Sequence, residues 1–125
     1  VRVTETLDGL VEGYGRKLDA EVDKRIYLAS SVTLIEVLRD RGGAAEHVMM
    51  CGHNPGMEDL VLDLVPDTGA SGPREDVEEK FPTASVAEIM LDIDDWANLD
   101  NRVGRLERFT RPRDLAPDLG PQYLR

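Results

Sequence analysis

Glu46-His47-Val48-Met49-Met50-Cys51-Gly52-His53-Asn54-Pro55-Gly56 is the stretch on which the fold turns. Its apolar run, Val48 to Cys51, stops at a glycine and a histidine, and Asn54-Pro55 then opens a segment with Met57, Leu60, Val61 and Leu64 at helical spacing. The pattern predicts a buried strand, a tight turn and a helix. Asn suits a helix N-cap, Pro suits the first helical position, and the free backbone donors of a first turn can receive an anion. His53 is therefore expected at the carboxyl end of a strand beside a helix start, where open α/β sheets place their ligands. The plainer alternative is a histidine that simply hydrogen-bonds a neighbouring loop.

Working outward, the whole chain of 125 residues fits one domain with a real core. No apolar run approaches the roughly 20 residues of a membrane span, which predicts no membrane insertion. Twenty-five acidic against fifteen basic residues give a net charge of −10, which disfavours nucleic acid and anionic membrane surfaces as partners. One cysteine allows no internal disulfide, and no basic leader precedes an apolar segment, so a cytoplasmic location is expected.

Before the central stretch, Leu7, Leu10, Val11 and Tyr14 predict a helix ending at Gly13 and Gly15. Ile26-Tyr27-Leu28 reads as a short strand or extended segment, and Ser30 and Ser31 cap a helix carrying Leu34, Ile35 and Leu38 up to Gly42-Gly43. After it, Pro66 stops the helical pattern, and residues 66–79 read as a flexible loop rich in Gly, Pro, Ser and acid. Val86 to Ile93 alternates with period two, which predicts a strand. Trp96 and Leu99 are expected to pack the following turn onto the sheet, and Gly104 to Phe109 reads as an edge strand. Asp92, Asp94 and Asp95 lack the glycine and terminal glutamate of a calcium loop, so no metal is expected. Residues 112–125, with Pro112, Pro117 and Pro121, read as a surface tail.

Gly52-His53-Asn54-Pro55-Gly56 after an apolar run resembles the second histidine motif of the histidine phosphatase superfamily, in its small phosphohistidine phosphatase branch. Four other stretches, in order along the chain, are similar to elements of that family. They are Arg2-Val3-Thr4-Glu5-Thr6, with Glu5 where glutamine is usual, Tyr27-Leu28-Ala29-Ser30, Lys80-Phe81-Pro82-Thr83-Ala84, and Arg111-Pro112-Arg113. The resemblance implies a phosphoglycerate-mutase-like α/β fold, a three-layer sandwich around a central mixed, mostly parallel sheet. Within it, Val48–Cys51 would be an interior strand.

It also implies a site in which His53 and Arg2 are catalytic and, with Asn54, bind phosphate, with no cofactor. Phosphoryl transfer needs an in-line nucleophile and fixed positive charge around the phosphoryl oxygens. The family's nucleophile is a histidine in an Arg-His-Gly motif on the first strand. Neither His47 nor His53 has that context, so the first strand and nucleophile are expected upstream of Val1. No carboxylate stands at Ala29-Ser30-Ser31, where larger members keep a general acid, and a phosphohistidine leaving group needs little protonation. The expected substrate is thus a phosphohistidine on a protein partner. The alternatives are a small-molecule phosphomonoester or, without the nucleophile, a non-catalytic phosphate-binding module.

Overall fold

A computed structural model describes residues 2–16, 20–67, 72–116 and 118, without the side chains of Arg2 and Val3. Two helices with facing aliphatic stripes supply the core. The first of the pair, α2 (Ser31–Arg41), begins where Ser30 Oγ accepts a hydrogen bond from the Thr33 amide at 3.4 Å. It ends where the Gly42 N–H donates to Leu38 O at 2.9 Å. The second, α3 (Gly56–Leu64), follows the central stretch. Leu34, Ile35 and Leu38 from α2 meet Leu60 and Leu64 from α3, and Val65 and Leu99 close the cluster. Each such side chain removed from water contributes about 1.5–3 kcal/mol, so this pair is the main source of stability.

The sheet packs on that pair. Strands β1 (Val86–Leu91) and β2 (Gly104–Thr110) form an antiparallel hairpin whose register runs from Val86 opposite Thr110 to Leu91 opposite Gly104, with an irregularity between Glu88 and Ile89. Ala87, Ile89 and Leu91 point toward the helices while Val86, Glu88 and Met90 face outward, as the period-two pattern requires. Gly104 allows a close approach: a Cβ there would lie 2.9 Å from Leu64 O. The Arg102 amide donates to Asp63 O at 2.9 Å and fastens the hairpin to the end of α3. Between the strands, Asp95 caps a short 3-10 turn (Trp96–Asn98), and the Trp96 Nε1–H donates to Ala45 O at 2.8 Å. Trp96 lies so close to Gly42 that a Cβ there would fall 2.1 Å from its ring. Leu99 is 1% exposed.

Helix α1 (Arg2–Tyr14) stands apart from this core. Leu7, Leu10 and Val11 are half-buried, yet none of its described residues joins the central cluster. It stops at Gly15, whose φ of +78° is the left-handed conformation that glycine adopts without strain.

The chain is therefore mixed α/β, but its described residues depart from the expected architecture in five places. The only sheet among them is the two-stranded antiparallel hairpin, and a central, mostly parallel sheet is not seen among them. Val48–Cys51, expected as an interior strand, joins no ladder, because no other described segment runs beside it as a strand. Residues 26–28, expected as a short strand or extended segment, instead end a 3-10 turn (Lys24–Ile26) and form the turn after it, because Asp23 accepts from the Arg25 amide and caps the 3-10 turn. The expected loop at 66–79 contains α4 (Pro73–Glu79). Pro73 starts that helix, Glu75 and Asp76 face its positive end, and Val77 is wholly buried. Arg74 secures it by donating to Val65 O at 2.8 Å and by pairing with Glu78. Residues 68–71 lie outside the described residues. In the expected tail, Pro112–Leu115 forms a short helix, α5, whose Asp114 accepts from the Arg111 amide at 2.8 Å. Residue 117 and residues 119–125 lie outside the described ones.

Candidate functional site

His53 sits in the turn that leads into α3, partly exposed, and its backbone O accepts the Met57 amide at 3.0 Å. The expected cap is displaced by one residue. Asn54 does not cap the helix; the N-cap position is Pro55, joined to Asn54 by a cis peptide bond, and the helix begins at Gly56. Released from capping, the Asn54 side chain donates from Nδ2 to Phe81 O at 2.6 Å. This bond joins the Gly-His-Asn-Pro turn to the Lys80–Ala84 stretch, which lies 27 residues further along.

Two more contacts extend the grouping. The Phe81 ring stacks on Phe109 at a centroid distance of 5.3 Å, and the Arg111 guanidinium lies over Phe109 at 5.8 Å, within cation–π range. Arg111 is also held by Asp114 at 3.0 Å, and that pair pushes the Asp114 carboxyl below the usual carboxylate range. On the other flank, Tyr27 meets His53 edge-on, at 5.9 Å between ring centroids and 79° between planes. Behind it, Gly56 is pressed onto the backbone of the Tyr27 segment, so that a Cβ at 56 would fall 2.2 Å from Ala29 O. Only glycine fits there.

His53 and Asn54 are thus placed side by side; Tyr27 touches His53, and a chain of contacts runs from Asn54 through Phe81 and Phe109 to Arg111. The third expected site residue, Arg2, opens α1, and its side chain lies outside the described residues. His47 is exposed. The half-buried Cys51, two residues before His53, has its thiol pKa pushed up by desolvation, which favours the protonated thiol. Among the described residues no group of three or more His, Cys, Asp or Glu side chains could hold a metal ion. None of their helices is long and apolar enough to cross a membrane.

Two features escaped the sequence reading. The Tyr27 contact with His53 has no local signature, since the residues are 26 positions apart and neither lies in a periodic segment. The stacking of Phe81 on Phe109 had a partial one: both are aromatic neighbours of stretches already singled out. No protein-family model, curated protein or solved structure matches the chain.

Proposed function

We propose that this chain carries the phosphate-handling half of a histidine-phosphatase-type site, which removes phosphate from phosphohistidine on a protein partner through a phosphohistidine intermediate. The single observation that carries this reading is a continuous chain of contacts. Four stretches that the resemblance singles out, at Tyr27, His53-Asn54, Phe81 and Arg111, are linked in space by one edge-on ring contact, one hydrogen bond, one aromatic stack and one cation–π contact. Coincidental matches scattered over a chain have no reason to meet. In this reading His53 donates a hydrogen bond to a phosphoryl oxygen, and Arg2 supplies the planar, bidentate charge that a phosphoryl group calls for. Asn54 takes its place as the residue that joins the turn to the Phe81 stretch, and its phosphate-binding part passes to the backbone around it.

The three-layer sandwich with a mixed, mostly parallel sheet and a cytoplasmic location belong to the same proposal. Val48 and Met49, 40% and 64% exposed and outside any ladder, offer the backbone that such a sheet would use. A second reading, a phosphate-binding module without turnover, is favoured by one fact: no Arg-His-Gly occurs in these 125 residues.

Steady-state hydrolysis of a phosphohistidine peptide by the full-length protein tests the choice. His53→Ala is expected to lower turnover by about two to four orders of magnitude, the range for losing a positioned proton donor or oxyanion donor, while His47→Ala changes little. Wild-type turnover in folded His53→Ala protein removes His53 from the mechanism. A wild-type protein that binds the phosphopeptide without hydrolysing it selects the second reading.

A further inference from the structure

The geometry points to Tyr27 as the positioning residue of His53: its ring sets the orientation of the imidazole, and a clamp on the preceding turn holds Tyr27 in place. This inference rests on the phosphatase reading of His53 and adds to it a residue with no assigned role.

Tyr27 is 65% exposed, so burial cannot explain why its ring is held where it is. Its backbone, by contrast, is fixed on both sides. Upstream, one Asp23 carboxylate caps the 3-10 turn through the Arg25 amide at 2.9 Å, grips the Arg25 guanidinium at 2.7 Å and takes Arg41 Nε at 3.2 Å. Arg25 reaches across to Asp40 at 2.7 Å, so the turn is bound to the last residues of α2 from two directions. The Tyr27 amide closes the turn on Lys24 O at 3.2 Å. Downstream, Ala29 O abuts the Cα of Gly56, the first residue of the helix that His53 leads into. The Tyr27 backbone and the His53 turn are therefore joined by one connected set of contacts. Edge-on packing of two rings is directional, and it limits rotation of the imidazole about its own χ angles. A proton donor must be held close to its productive geometry, and misplacement by about 1 Å can cost as much as a hundredfold in rate.

The test combines turnover with the NMR signals of the His53 ring in the full-length protein, using Tyr27→Leu, Tyr27→Phe and Asp23→Ala. In Tyr27→Leu the His53 ring-proton shifts are expected to move toward those of an unstructured histidine. The kcat for a phosphohistidine peptide should fall by about tenfold to a hundredfold, with KM held within about twofold. Tyr27→Phe, which keeps the ring, should restore both, and Asp23→Ala should move both in the direction of Tyr27→Leu by a smaller amount. A thermal melt like that of wild type is expected, since Tyr27 is largely exposed. His53 shifts that stay unmoved in Tyr27→Leu, or shifts that move while kcat does not, overturn the positioning role. Binding of the phosphopeptide by the wild type without any hydrolysis overturns the phosphatase reading itself, so the two failures are told apart.

Discussion

On either side of His53 lies an apolar stretch of the chain, and the two have opposite fates. After it, Leu60, Val61 and Leu64 of α3 are 5%, 4% and 3% exposed; before it, Val48 and Met49 are 40% and 64% exposed. Hydrophobicity does not separate them. What separates them is where the backbone finds its hydrogen bonds. A helix satisfies its own N–H and C=O groups within the segment and needs only a partner for one face, which α2 provides. A strand needs a second strand on at least one edge, and no described segment supplies one to residues 48–51.

The comparison can be broken most directly by truncating each side. Leu60→Ala is expected to cost about 2–5 kcal/mol, because the surrounding helices cannot collapse into the space. Met49→Ala should stay within about 0.5 kcal/mol, as an exposed side chain should. Urea unfolding of both variants measures the difference. A Met49→Ala cost that matches Leu60→Ala would mean that another part of the protein covers residues 48–51 in solution.

Gly56 sits at the boundary between the two sides and tests it next. Gly56→Ala forces a methyl group against Ala29 O and should cost about 1–3 kcal/mol, in spite of the better helix propensity of alanine. A stabilised Gly56→Ala protein would show that α3 and the Tyr27 segment do not touch in solution.

The smallest expected effect concerns pH. The side-chain and backbone hydrogen bonds from Arg25, helped by Arg41, hold the Asp23 carboxyl well below its ordinary value of 3.8. A carboxylate depressed in the folded state stabilises the fold at pH values above the unfolded pKa, and the contribution is lost as pH falls through the folded value. Stability of the wild type should therefore decline more steeply than that of Asp23→Asn as the pH is lowered from about 4 toward 2. The contribution is small because the Arg25 partner is solvent-exposed and the pairing is screened by salt. Identical acid profiles for the two proteins would mean that the clamp is open in solution, and would remove the upstream support for Tyr27.

By itself the sequence determined what is local. Ser30 as a cap, Leu34, Ile35 and Leu38 as one stripe, Gly42 as a stop, and the alternation from Val86 to Leu91 are each readable within a few residues, since helix and strand periods act at short range. It also marked His53 and its glycine neighbours as a turn before a helix. It read residues 48–51 as a strand where the described residues form no ladder, and residues 26–28 as a strand or extended segment where a capped turn stands, because a short apolar run has the same composition whether or not a second strand lies beside it. It passed over α4, where a Gly, Pro and acid composition that suits a loop is overruled by the burial of one valine, Val77. Only the tertiary structure decided what surrounds His53. The Tyr27 ring, the Phe81 carbonyl bound by Asn54 and the Ala29 carbonyl against Gly56 all come from residues some 26 or 27 positions away along the chain. Contacts at that distance depend on how whole helices pack, which no short window of sequence contains.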